Sequence, residues 1–370
     1  MSVLFSHGRT DYVRVKTLPE GPYQQRRYLC VPRTGNREGA LVEVALLSPW
    51  AHILHHARLE EAALLGLRLL HPALPRTHAL YRDGGRALLV TEYVSGFSMN
   101  MAGHYGCMRQ RPLSEPFTLH MASRVAEALV PVHGLTDAAG RPANVVHGGV
   151  DPYTILLGTD GRVRLTGFTT VFSRVPTLPR RSSHVLRCGL DFAAPERLCP
   201  ERGEGVDGRA DLFSLGLVML ELLTGQQLYA TDEVERAAAL LPPSPAPHAT
   251  GSEPPPGTMS WTSVEQLARR AAAFRPEHLE HLTREVSAPV RRVLHRLLRR
   301  RASERPASAA EVKAALDACL RELREPYGPE QALEELLEAR HEAAEKGPED
   351  FFASDEAERG AGGALLPPRH

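Results

Sequence analysis

Val145 to Thr169 reads VVHGGVDPYTILLGTDGRVRLTGFT, and this stretch decides the fold. Two short apolar runs, Ile155-Leu156-Leu157 and Val163-Arg164-Leu165, flank a turn at Asp160-Gly161. A loop with His147, Gly148, Gly149, Asp151 and Pro152 precedes them, and Gly167-Phe168 follows. The apolar frame is full, whereas Asp151 and Asp160 are the only carboxylates within it. Loops held by a rigid frame of this kind are where proteins place binding and reacting groups.

The rest of the chain is long enough to surround such a frame with a core. Its 370 residues allow one large domain or two lobes with a tail, and 42% of them are hydrophobic. Lys+Arg and Asp+Glu both total 44, so no bulk field draws the protein to nucleic acid or to a membrane. Lysine occurs only at Lys16, Lys313 and Lys346; arginine carries the remaining positive charge. Cys30, Cys107, Cys188, Cys199 and Cys319 are scattered without a C-x-x-C pair, which indicates neither a zinc site nor a disulfide framework. No long apolar core follows a basic start at the N-terminus, so a signal peptide is not expected. The most apolar run, Leu212 to Leu223, is too short for a membrane span and contains Glu221. A soluble protein of the reducing cytoplasm is the expectation.

Residues 11–50 read as short strands broken by turns: Tyr12–Leu18, Tyr28–Pro32, a turn at Thr34-Gly35-Asn36, then Ala40–Leu47. Leu54, Leu59, Ala62, Leu65 and Leu69 have helical spacing and end at His71-Pro72. Strands near Thr77–Tyr81 and Ala87–Tyr93 follow, joined by Asp83-Gly84-Gly85. Helices then dominate, at Leu119–His133, Leu212–Thr224, Ala288–Arg301 and Glu330–Glu345. Residues 241–257, LPPSPAPHATGSEPPPG, read as an extended Pro-rich insertion, and Gly360–Gly363 as part of a frayed tail.

In this order the chain resembles the eukaryotic-like Ser/Thr protein kinases of bacteria over roughly residues 11–322. Their catalytic loop reads H-R-D-L-K-P-x-N-I-L-L, followed by V-K-L-x-D-F-G. His147, Pro152, Ile155, Leu156, Leu157, Val163, Leu165 and Phe168 fit that frame. Ala194-Pro195-Glu196 resembles the A-P-E that closes an activation segment, and Asp211 to Gly216 the D-x-F-S-L-G of a central buried helix. Glu304-Arg305-Pro306 resembles the late R-x-R-P, and Leu70-His71-Pro72 and Leu89 to Val94 the L-x-H-P and hinge segments. The resemblance implies an α+β, bilobal protein-kinase-like fold, with a strand-rich N-lobe carrying one helix and a mostly helical C-lobe. It divides the chain into an N-terminal extension (1–10), N-lobe (11–94), C-lobe with the Pro-rich insertion (95–322) and a C-terminal helix and tail (323–370). It further implies structural roles for five residues: Asp211 would hold the loop backbone, His147 would stack under Phe168, and Glu196 would pair with Arg305.

The same frame exposes what is missing. The catalytic aspartate falls on Gly149, the metal-binding asparagine on Thr154 and the D-F-G aspartate on Gly167. Mg²⁺ takes oxygen ligands, usually one or two carboxylates with phosphates and water. Of these three positions only Thr154 has a side-chain oxygen, a neutral one. The strand lysine that holds phosphates falls on Ala45 in one register and Leu47 in another; neither is a lysine. In the first register Glu43 replaces a small residue that packs on adenine. Of the Gly-rich loop, only Gly21 survives in Pro19-Glu20-Gly21-Pro22-Tyr23-Gln24, where two prolines remove backbone donors.

Several residues keep a second reading. Asp151 is a turn-capping or solvated carboxylate, or a displaced base. Lys16 lies on the first strand, where alternation allows it to point inward. Glu61, or Glu60, stands where a helix glutamate pairs with the absent lysine; solvation or an arginine partner is the plainer reading. Gly21, Lys16, Glu61, Glu92 and Val94 are the candidates for lining a nucleotide cleft. The expectation is a pseudokinase, a non-catalytic signalling or scaffold module binding an active kinase or its substrate. No cofactor or metal is required, with room for weak, metal-independent ATP binding. A weak or atypical ATP-dependent Ser/Thr kinase or transferase using the same cleft is the alternative.

Overall fold

The computed structural model describes residues 2–21, 25–51, 53–167, 190–198, 206–241 and 264–346. Strands β1 (Ser2–His7), β2 (Thr10–Gly21), β3 (Gln25–Thr34), β4 (Arg37–Glu38), β5 (Val42–Leu47), β6 (Thr77–Asp83) and β7 (Arg86–Glu92) form one antiparallel sheet. Its order is β1-β2-β3-β5-β7-β6, with β4 hooked onto β3. Residues 1–10, read from the sequence as an N-terminal extension, include β1, which pairs with β2, and Phe5 is buried and stacked on Tyr12 with ring centroids 4.3 Å apart.

Side-chain alternation gives the sheet two working faces. On β5, Val42, Val44 and Leu46 join Phe5, Tyr12, Tyr28, Cys30, Leu88 and Val90 in an outer core. Ala45 and Leu47 point the other way, into a cluster with Leu59 and Ala63 of helix α1 (Ile53–Gly66) and with Ala87 and Leu89. Glu43 has the same parity as Ala45 and so lies on the helix-bearing face. A second sheet, β8 (Gly96–Ser98), β9 (Ile155–Gly158) and β10 (Val163–Leu165), has β9 at its centre.

The second lobe is helical: α2 (Met99–Met108), α3 (Glu115–His133), α4 (Pro195–Leu198), α5 (Arg209–Thr224), α6 (Asp232–Ala239), α7 (Val264–Ala273), α8 (Pro276–Leu282), α9 (Ala288–Leu297), α10 (Ala309–Arg321) and α11 (Pro329–Lys346). Ser98 and Ser114 start α2 and α3 by accepting hydrogen bonds from the backbone N–H of Met101 and Phe117. Helix α5 is apolar nearly all round, which fits a helix buried on every side. It ends at Gly225, whose φ of 69° is the left-handed cap glycine tolerates. Helix α9 stops at Leu297 rather than running to Arg301, because the carbonyls of Arg299 and Arg300 turn to receive the Arg305 guanidinium.

The C-terminal helix α11 belongs to this lobe. Ala332, Leu336, Ala339 and Ala343, spaced as one helical stripe, sit in its core. The Glu335 carboxylate accepts from the Ser114 N–H, the Ser114 hydroxyl and the Tyr327 hydroxyl at 2.7, 2.7 and 2.6 Å. Glu342 pairs with the buried Arg109 and with Arg111. No helix among the described residues is long and apolar enough to cross a membrane. The Pro-rich insertion beyond Leu241, and the glycine-rich tail, lie outside the described residues.

Candidate functional site

The loop from His147 to Thr154 hangs from one buried carboxylate. Asp211, in the first turn of α5, accepts the His147 N–H on Oδ2 and the Gly148 N–H on Oδ1, both at 2.8 Å. Its Oδ2 also lies 2.8 Å from His133 Nε2 at the end of α3. Burial alone would raise the Asp211 pKa; the His133 hydrogen bond and the histidine charges hold it below the usual carboxylate range. Gly148 takes a φ of 74°, which frees this tight anchorage from Cβ strain. His147 is fully buried, and burial pushes its pKa down to about 4, so the ring is neutral near pH 7. Its Nδ1 accepts the Gly149 N–H at 3.3 Å.

Asp151 and Thr154 then close the loop on itself. Asp151 is 4% exposed, so it is a turn cap and not a solvated carboxylate. Its Oδ1 accepts from the N–H groups of Tyr153 and Thr154 at 2.8 and 3.0 Å. Burial pushes its pKa up to about 6, against the pull of those two amides. The Thr154 hydroxyl lies 2.6 Å from the Gly149 carbonyl and 3.0 Å from the Asp151 carbonyl, and accepts from the Asp151 N–H. The Thr154 carbonyl receives both the N–H and the hydroxyl of Thr166. Gly167 therefore lies directly across from Thr154. A Cβ on Gly167 would meet Thr154 Cγ2 at 2.7 Å, and its φ is 84°. The threonine methyl fills the space an aspartate would need there.

The face of the N-lobe sheet toward α1 supplies the roof. Residues directly opposite in an antiparallel ladder share a face. Ala45 stands opposite both Arg27 and Leu89, and Glu43 opposite both Leu29 and Thr91. A bulge between Arg14 and Lys16 puts Lys16 opposite Leu29, on this same face. Arg27 grips Glu43 through two parallel hydrogen bonds, Nε to Oε1 at 2.6 Å and Nη2 to Oε2 at 2.8 Å. Burial works against the Arg27 charge, but the Glu43 carboxylate more than restores it and the net shift is upward. Neither the position of Arg27 nor its partner was read from the sequence. The available signal was a glutamate inside an apolar strand, which demands a cation, beside the Arg26-Arg27 pair.

The remaining candidates do not all share this face; Glu92 stands opposite Val42, on the outer one. Gly21 ends β2 opposite Gln25, and Pro22 to Gln24 lie outside the described residues. Glu60 of α1 pairs with Arg82, while Glu61 is half-buried on the same helix. Glu92 accepts the Arg76 N–H at 3.1 Å at the end of β7, and Val94 follows in the link between lobes. Away from the cleft, Arg305 is buried with Glu196, Nη1 to Oε1 at 2.6 Å and Nη2 to Oε2 at 2.8 Å. Its guanidinium also lies 4.6 Å from the Phe213 ring centroid. Phe168 and the Ser/Thr-rich segment after it lie outside the described residues. Among the described residues, no three His, Cys, Asp or Glu side chains gather as a metal-ligand set.

With this geometry in place, comparison with known proteins assigns the family. Residues 27–316 match the protein kinase domain, and the chain belongs to that family. Serine/threonine-protein kinase pkn3 of Myxococcus xanthus is 27% identical over 300 residues, covering 78% of this chain and 47% of pkn3. Serine/threonine-protein kinase PknJ of Mycobacterium tuberculosis is 29% identical over 205 residues, covering 54% of this chain and 32% of PknJ. The chain thus spans less than half the length of these two curated relatives. The PknI kinase domain of Mycobacterium tuberculosis has the same fold, with a TM-score of 0.52 and 20% identity, covering 86% of this chain and 99% of that one.

Proposed function

We propose that this chain is a pseudokinase, a protein kinase fold used as a non-catalytic signalling or scaffold module that binds protein partners. An active kinase or one of its substrates is the partner class. The observation that carries the reading is the interlock of Thr154 with Gly167. Phosphoryl transfer in this fold rests on positioning and on offsetting the triphosphate charge with Mg²⁺. At the metal position this chain offers a threonine hydroxyl whose one proton is taken up by the loop's own carbonyls and whose oxygen accepts the Asp151 N–H, and a glycine whose side-chain space is taken. Those donors do not fit Mg²⁺, which takes carboxylate and phosphate oxygens. Gly149 brings no group to accept a substrate proton. If each loss costs about 10²-fold, or about 2.7 kcal/mol, two losses already remove useful turnover.

A second reading, a weak or atypical ATP-dependent Ser/Thr kinase, draws on two observations. The named relatives pkn3 and PknJ are serine/threonine-protein kinases. Asp151, buried in the loop with its pKa pushed up to about 6, has the proton affinity a general base needs. Incubating the purified chain with labelled Mg-ATP and a generic substrate, beside Asp151→Asn, separates the two. Absence of label in both supports the pseudokinase. Label that disappears in the Asn variant establishes the second reading.

A further inference from the structure

The Arg27–Glu43 pair does more than fill a hole in the sheet. Arg27 stands directly opposite Ala45, where one of the two registers of the family resemblance puts the phosphate-holding lysine; the other register puts it at Leu47, on the same face. The N-lobe therefore still carries a cation at that place, supplied by the neighbouring strand. Its fork is fully engaged along one edge by a carboxylate of the same chain. This is the two-bond geometry with which arginine holds either a carboxylate or a phosphate. Glu43 shares its face with Ala45 and Leu47, which pack against α1, and its side chain is 20% exposed.

We propose that Glu43 is an internal substitute for a ligand's phosphate. Its carboxylate occupies on Arg27 the place a polyphosphate would take and repels any second anion brought there. Releasing Glu43 converts the roof into a metal-independent polyphosphate site centred on Arg27. This inference rests on the pseudokinase reading and says how its cleft is kept closed to nucleotides.

The test uses the full chain as wild type, Glu43→Gln, and the double variant Glu43→Gln with Arg27→Gln. Binding of ATP, tripolyphosphate and adenosine is measured by calorimetry in the presence of a chelator, after circular dichroism has established the fold. The expected result is at least tenfold tighter binding of ATP and tripolyphosphate to Glu43→Gln than to wild type, with the gain abolished in the double variant. A gain for ATP and adenosine without tripolyphosphate would overturn the proposal, since it would report an opened base pocket and not a freed cation. So would binding to Glu43→Gln within threefold of wild type, or a gain that survives loss of Arg27. Glu43→Ser, read by the same criteria, replaces the glutamine variant if the latter does not fold. Phosphate transfer by the wild type would refute the pseudokinase reading alone; it is scored separately from the binding of the Glu43 variants.

Discussion

The Cγ2 methyl of Thr154 lies 2.7 Å from the point a Cβ would occupy on Gly167. Two positions that carry metal ligands in the family resemblance have thus become a packing pair, each occupying what the other lacks. Restoring one without the other should fail. Gly167→Asp alone is expected to destabilise the protein by about 2–3 kcal/mol, from overpacking and from a positive φ. Adding Thr154→Ser removes the methyl and keeps the hydroxyl, and should recover about 1 kcal/mol or more of that loss. A urea double-mutant cycle measures the coupling; additivity would deny the interlock.

Glu196 and Arg305 join the first turn of α4 to the turn before α10, with the Arg305 side chain fully buried. Glu196→Ala leaves the guanidinium with backbone carbonyls and an aromatic face but no counter-charge. A loss of about 3–5 kcal/mol is expected on chemical denaturation. A loss near zero would mean that the ion pair contributes no more than an exposed one.

Asp151 gives the loop a pH signature of definite sign. Its folded pKa of about 6 exceeds the ordinary 3.8 of an aspartate, so the folded state binds the extra proton between those values. Its contribution is complete below the unfolded pKa and is lost as pH rises through about 6. His147, pushed down to about 4, acts oppositely and gains stability as pH rises over much of the same window. The difference between wild type and Asp151→Asn isolates the aspartate. The wild type should lose about 2 kcal/mol relative to the variant from about pH 4 to about pH 6.5. Parallel curves would contradict the burial of Asp151.

Helix α11 lies beyond the end of the family match at residue 316, yet Leu336 is 0% exposed in the C-lobe core. Leu336→Ala should cost about 2–5 kcal/mol and lower the melting temperature of the whole domain. An unchanged melting curve would mean that the helix is an appendage.

The frame of the fold was readable because it is written in local chemistry. His147, Asp211 and Arg305 sit in short motifs whose order along the chain is diagnostic, and the strands around Val44 and Leu89 are short apolar runs bounded by turn residues. Strand β1 was not readable, since Val3-Leu4-Phe5 offers no alternation and its pairing with β2 is a tertiary fact. The short α2, rich in glycine and methionine, gave no helical stripe to follow. In the cleft the departures of Gly149, Thr154 and Gly167 from the family's motifs could be read. Their compensation could not, because Thr154 meets Gly167, and Arg27 meets Glu43, only through strand register and loop closure.

The most direct test of the central claim is the melting temperature of the purified chain with ATP, with and without Mg²⁺. A ligand at about 100 times its Kd stabilises a fold by about 2.7 kcal/mol, a readily visible shift. The donor set at Thr154 and Gly167 predicts that Mg²⁺ adds nothing to any effect of ATP. A Mg²⁺-dependent rise in melting temperature with ATP would contradict it, and would return this cleft to the nucleotide-binding members of the family.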